Sequence, residues 1–267
     1  MQLAFSNGGY SGSLPAAWSQ LTALQQLNFT GNTLSGTLPP EWSGMLQLQE
    51  LYLGRNALTG PLPPAWSGMT ALSALSLANN GLNGTLPPEW RGMSSLQLLS
   101  LGNNNLTGSL PPAWTGLSHL SALGLASNAL VGPLPPPWSG LQQLFLDANA
   151  LNGTLPAAWD NMSALQTLGL ESNSLSGPLP PTWSGMSALA YLNLGYNILT
   201  GSLPLAWSGL SLLTFLRLDH NDLTGTLLPE WSGLQQLIWL NLASNALNGT
   251  LPAAWSGLQQ LQVHVMI

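Results

Sequence analysis

The chain has 267 residues with a formal net charge of −6, and only 4% of its residues are charged. Three arginines and no lysine supply its whole basic complement, so a phosphate-binding basic patch, and with it a nucleic-acid partner, is not expected. No run of 18 apolar residues offers a membrane span, and the absence of cysteine removes disulfides and thiolate metal sites.

From the first residues onward one pattern repeats. Trp18, Trp42, Trp66, Trp90, Trp114, Trp138, Trp159, Trp183, Trp207, Trp231 and Trp255 follow one another at 24 residues, with one gap of 21, and only Trp239 falls outside the register. Aligned on Trp, each unit reads W-x-x-[LM]-x-x-L-x-x-L-x-L-x-x-N-x-L-x-G-x-L-P-x-x. In "LSALSLANN" Leu75 and Leu77 alternate with small polar residues, the period of a strand with one buried face. The repeated Asn, as at Asn80 and Asn104, follows that strand and can satisfy buried backbone groups of neighbouring coils. Gly-x-Leu-Pro blocks helix and turns the chain back towards the next strand. The Trp column reads as interior filling. Such an array buries a continuous core only by stacking one unit on the next.

The segment L-x-x-L-x-L-x-x-N-x-L resembles the leucine-rich repeat, and the "LTGxLP" half of the unit is similar to the plant-type subclass. The Trp departs from the aliphatic residue more usual there, and is similar to algal and protozoan surface repeats. The resemblance covers essentially the whole chain. It implies a right-handed repeat solenoid of the α/β leucine-rich repeat class, with a parallel sheet on the concave face and mostly irregular or 3-10 return segments on the convex face. About eleven coils over residues 1–267 would form a single solenoid, one coil being the 21-residue unit from Trp138 to Trp159. That short coil, "WSGLQQLFLDANALNGTLPAAW", keeps Leu144, Leu146 and Asn149, so its deletion falls in the return segment.

The first coil places Leu3 and Phe5 in strand positions, and the last stops in "LQVHVMI" with His264 in a leucine place. Both ends lie inside a repeat without the Cys-bearing caps usual in plant-type arrays, and "MQLAFSNGG" is not a signal peptide as it stands. An extracellular or cell-surface location is nevertheless what the resemblance implies. Six Asn-x-Ser/Thr triplets, at Asn28, Asn83, Asn105, Asn152, Asn161 and Asn248, agree with a glycoprotein.

Function is sought where coils differ. The outward positions of the early strands are bland, except for a small patch of Glu50, Tyr52 and Arg55. Phe145, Asp147 and Glu171 form an acidic patch that reads as solvated surface. The last three full coils carry Tyr191, Asn193 and Tyr196; then Phe215, Arg217, Asp219 and His220; then Trp239 and Asn241. Equivalent places on adjacent strands are neighbours, so Tyr191, Phe215 and Trp239 are expected to form an aromatic row flanked by Asn193, Arg217 and Asn241. This is the candidate surface for a protein, peptide or glycan ligand; its bland counterpart is cross-strand pairing that merely stabilises the sheet.

A second reading uses the small polar residues flanking the repeated Gly. Thr37, Thr85, Thr107, Thr154, Thr200, Thr224, Thr226 and Thr250 belong to a ladder that resembles an ice-binding face, interrupted by Pro61, Val131, Pro133 and Pro178. Turn chemistry explains the same residues. A structural spacer in a wall or surface coat is a third reading. His119, His220 and His264 lack metal-ligand spacing, and Asp219, His220 and Ser244 lack a nucleophile elbow, so no enzyme, cofactor or metal is expected. The oligomeric state is not specified by the sequence.

Overall fold

In the computed structural model, which describes residues 1–264, the Leu-x-Leu motif of each coil forms a three-residue strand, among them Gln26–Asn28, Glu50–Tyr52, Ala74–Ser76 and Leu98–Ser100. These strands pair in parallel with the repeat in register, Leu27 opposite Leu51, Leu51 opposite Leu75, and Leu75 opposite Leu99. Every such leucine points into the core, and the residues between them face outward. The chain divides into two compact units, Met1–Val131 and Gly132–Ile267, a few residues before the short coil. Each unit is a stack of such coils, the repeat-solenoid class that the sequence implies.

The return segments contain the expected 3-10 turns, such as Pro64–Gly68 and Pro88–Gly92, with Pro at the first helical position where its missing N–H costs nothing. They also contain a second parallel sheet. Its strands, for example Thr33–Thr37, Ala57–Pro61 and Gly81–Thr85, are built from the segment around the repeated Gly. That Gly adopts a left-handed φ, +80° at Gly60, and a Cβ there would stand 2.7 Å from Thr37 Cγ2. Glycine is therefore required twice over, by the torsion and by the close approach. The second sheet does not keep the repeat in register. Thr37 lies opposite Thr59, a step of 22 residues, so each strand slips two residues past its neighbour and equivalent columns run diagonally. The short coil has bends and turns at 136–142 where other coils have a 3-10 helix.

Two side-chain columns hold successive coils together. Trp18, Trp42, Trp66, Trp90 and Trp114 stack with ring centroids 6.1 to 6.4 Å apart and planes within 8° of parallel. In the second unit Trp159, Trp183, Trp207 and Trp231 repeat the arrangement. From Trp42 onward the indole N–H donates to a carbonyl of the preceding coil, as Trp90 does to Pro63 at 2.9 Å. The ring thus fills the interior while its one polar atom is satisfied. Trp138 departs from this: it is tilted 57° from Trp159, and its buried Nε1 has no partner among the described residues.

The Asn column is the second. Asn104 donates through Nδ2 to the carbonyls of Leu77 at 3.1 Å and Leu101 at 2.9 Å, and its Oδ1 accepts the Leu82 N–H at 3.0 Å. One amide therefore ties two coils together and satisfies a backbone N–H that the core would otherwise leave unpaired, while each of the two carbonyls is shared with the Asn of a neighbouring coil.

Candidate functional site

The outward face of the strands Tyr191–Asn193, Phe215–Arg217 and Trp239–Asn241, all in the second unit, carries the densest chemistry of the chain. In-register pairing sets Tyr191 opposite Phe215 and Phe215 opposite Trp239, with Asn193, Arg217 and Asn241 alongside. The Tyr191 and Phe215 rings stack at 4.4 Å and 9°, and Phe215 and Trp239 at 6.2 Å and 6°. At 4.4 Å the Tyr191 and Phe215 rings cover each other's facing sides, whereas Phe215 and Trp239 at 6.2 Å are parallel but offset. The row is an aromatic ridge, in place of the flat platform that a sugar ring would need.

Beside the ridge lies one continuous polar network. Arg217 Nη1 donates to Glu171 Oε1 at 2.6 Å, and Arg217 Nε donates to Asp219 Oδ1 at 2.6 Å. Asp219 is 1% exposed, and its other oxygen lies 2.8 Å from His220 Nδ1. The buried Asn193 donates to Glu171 Oε2 at 2.7 Å, while its Oδ1 accepts the Gly195 N–H at 3.2 Å. Gly195 is what lets the guanidinium cross between strands, because a Cβ there would sit 2.9 Å from Asp219 Oδ1. Asn241 turns inward in the same manner as Asn193, accepting the Ala243 N–H at 3.1 Å.

Burial alone would push the Asp219 carboxyl up, but hydrogen bonds from Arg217 and His220, together with the Arg217 charge, outweigh it and hold the group below the usual carboxylate range. Asp147 shows the opposite balance, with burial raising it. Burial also raises the Tyr191 phenol. The Arg217 guanidinium is stabilised in its charged form chiefly by the hydrogen bond to Asp219.

Tyr196 and His220 stack at 4.0 Å, each with a left-handed φ, 53° and 52°. That conformation is unfavourable for bulky residues. The Arg217 guanidinium carbon lies 5.3 Å from the Tyr196 ring centroid, within cation–π range.

The remaining sequence-predicted residues lie elsewhere or join unexpectedly. Glu50 accepts a bond from Gln26 at 2.7 Å, burial raises the Tyr52 phenol, and Arg55 is exposed with φ 56°. Phe145 is exposed, while Asp147 Oδ1 accepts the Glu171 N–H at 3.0 Å. Glu171 is therefore part of the Arg217 network, two coils away in sequence, and is not simply a solvated acid. Reading Asp147, Glu171, Gly195 and Asp219 as one column across four coils reveals the link.

Thr37, Thr85, Thr107, Thr154, Thr200, Thr224, Thr226 and Thr250 are all exposed. The slip of the second sheet pairs Thr85 with Thr107 and Ser202 with Thr224, but sets Pro178 opposite Thr200. Some hydroxyls turn to the backbone, as Thr107 does to the Gly84 carbonyl at 3.3 Å. Among the described residues no group of three or more His, Asp or Glu side chains is placed to hold a metal ion, and no helix is long and apolar enough to cross a membrane. Of His264 only the strand backbone is described, and 265–267 lie outside the described residues.

Two sequence profiles described as leucine-rich repeat match the chain, one over residues 84–130 and 179–223, the other over 23–45, 47–69, 71–93 and 164–186. No curated protein matches it. Among solved structures it is similar to the plant peptide hormone receptor RGFR1 in complex with RGF2, at 30% identity and a TM-score of 0.89, over 95% of this chain and 45% of that one. A TDR receptor is similar at 32% identity and a TM-score of 0.92, over 96% and 44%. The chain thus spans less than half the length of these two receptor chains. A plant ice-binding protein is similar at 27% identity and a TM-score of 0.70, over 82% of this chain and 71% of that one.

Proposed function

Because the chain belongs to the leucine-rich repeat family, we propose that it is a non-enzymatic binding module that holds an extracellular protein or peptide ligand on the outward face of the second unit. The observation that carries this reading is the aromatic ridge on three successive strands, beside the Arg217 network that reaches back to Glu171 one coil earlier. Stacked rings, a half-buried guanidinium and inward-turned amides suit an extended chain with side chains to insert between them. A sugar ring needs an open aromatic face, which Tyr191 and Phe215 deny each other, so the glycan reading recedes behind the peptide one. The similarity to a plant peptide hormone receptor favours the same ligand class and an extracellular place of action.

A displayed peptide library selected on the purified chain tests this. Phe215→Ala and Trp239→Ala are expected to weaken the selected peptides about tenfold or more, with a thermal midpoint close to that of the parent chain. Unchanged affinity, or loss of affinity only in step with loss of folding, would overturn the assignment.

Ice binding is the second reading, favoured by the similarity to a plant ice-binding protein and by the exposed Thr columns of the second sheet. The two-residue slip and the prolines work against a regular array of hydroxyls. An ice-recrystallisation assay separates the readings: activity that disappears in a Thr85→Tyr, Thr226→Tyr double variant supports the ice face, and inactivity of the parent chain removes it.

A further inference from the structure

The fold sorts the six Asn-x-Ser/Thr triplets. Asn83, Asn105, Asn152 and Asn248 lie in the second-sheet strands Gly81–Thr85, Asn105–Gly108, Ala150–Thr154 and Ala246–Asn248, and all four are exposed. Within a strand, residues two apart project to the same side, so Asn83, Asn105 and Asn152 share the solvent face with the Thr of their own triplets. Asn28 differs: it is half-buried in the first sheet between Ala4 and Tyr52, with its Oδ1 held by the Thr30 N–H at 3.0 Å. Asn161 closes a 3-10 turn, its Nδ2 donating to the Ala158 carbonyl at 3.3 Å.

We propose that Asn83, Asn105, Asn152 and Asn248 are acceptors of N-linked oligosaccharide and that Asn28 is not, so the second sheet carries a sugar coat. In the transfer, Nδ2 forms a bond to the anomeric carbon of a lipid-diphosphate-linked oligosaccharide. The carbon–oxygen bond to the diphosphate breaks, the lipid diphosphate leaves with that electron pair, and Nδ2 loses a proton. No oxidant or reductant is needed.

The slip of the second sheet adds a constraint that no alignment of the repeats displays. Asn83 and Asn105 occupy different places in the repeat, yet the 22-residue step puts them directly opposite each other on neighbouring strands. Strands lie about 4.8 Å apart, less than the width of a branched oligosaccharide, so the two sites exclude each other. Asn152 faces Ser174 and Asn248 faces Thr226, which are not acceptors. None of the four lies on the Tyr191–Asn241 face, which the coat leaves bare. The coat would cover the same columns that an ice face needs to keep flat.

The experiment is secretion of the full chain from yeast behind an added signal peptide. Digestion with peptide:N-glycosidase in ¹⁸O water then turns each occupied Asn into labelled Asp, which is mapped by mass spectrometry. The expected result is near-complete label at Asn152 and Asn248, partial label at Asn83 and Asn105, and none at Asn28. Asn83→Gln should raise Asn105 occupancy about twofold if the sites compete across a single strand spacing. If the chain is secreted poorly, cell-free translation with microsomes reads the same sites as steps in mass. Second-sheet triplets left bare in both systems, or Asn28 occupied to the level of Asn152, would overturn the proposal; Asn83 and Asn105 both fully occupied would overturn the exclusion between them.

Discussion

Trp90→Ala is expected to destabilise the first unit by about 3–5 kcal/mol, the range for removing a large buried aromatic ring. Trp90 is fully buried and stacks on Trp66 at 6.4 Å and on Trp114 at 6.2 Å. Its removal leaves a cavity in the middle of a column whose neighbours are themselves rigid rings, so little can collapse inward. It also strips the Pro63 carbonyl of its donor. Trp90→Phe keeps most of the ring and loses the N–H, and should cost about 1–3 kcal/mol, the penalty for a buried polar group left unpaired. Urea unfolding of the two variants measures both. An Ala variant no worse than the Phe variant would mean that the hydrogen bond, and not the stack, carries the column.

Asn104→Leu should destabilise the first unit by a different route. The substitution conserves volume, so a packing argument predicts little change. Yet it leaves the Leu82 N–H without its acceptor, while the carbonyls of Leu77 and Leu101 each lose one of two donors and keep Asn80 and Asn128 respectively. With one buried N–H left unsatisfied, a loss of about 1–3 kcal/mol is expected. Amide hydrogen exchange checks the mechanism as well as the size. Protection of Leu82 should fall far more than that of Leu58, whose N–H is held by Asn80. Equal protection in parent and variant would show that the Asn column does not hold the coils.

Much of this architecture is legible in the sequence because repetition multiplies weak signals. One buried Leu between polar residues says little, but the same Leu every 24 residues fixes the first sheet and its register. The second sheet is harder to read. Its strands contain a central Gly and, at Pro61 and Pro178, a terminal Pro, all poor strand formers. Their pairing comes from the neighbouring coils, which fix the strands against their local preference. The slip of two residues reflects how the coils pack, and no single coil contains it.

The site shows the same division. That Tyr191, Phe215 and Trp239 are neighbours follows from counting. That their rings lie parallel depends on torsions that no spacing records. The inclusion of Glu171 depends on Gly195, whose missing side chain opens the path for Arg217.

The bonds between coils follow the repeat. Between 24-residue coils a Trp N–H finds its carbonyl 27 residues back, and an Asn oxygen is met by a backbone N–H 22 residues before it. The partners are backbone atoms that every coil presents, so the connections are modular. Excising 24 residues removes one whole part and presents each remaining Trp and Asn with a partner identical to the one it lost. The short coil shows that the reach can also contract: with three residues fewer, Trp159 meets the Pro135 carbonyl only 24 residues back, at 3.0 Å. The distortion falls on Trp138, at the start of the short coil, whose ring is tilted and whose indole nitrogen has no partner among the described residues. Coils thus behave as interchangeable parts whose number is free, and a small change in the size of one is absorbed at a single joint.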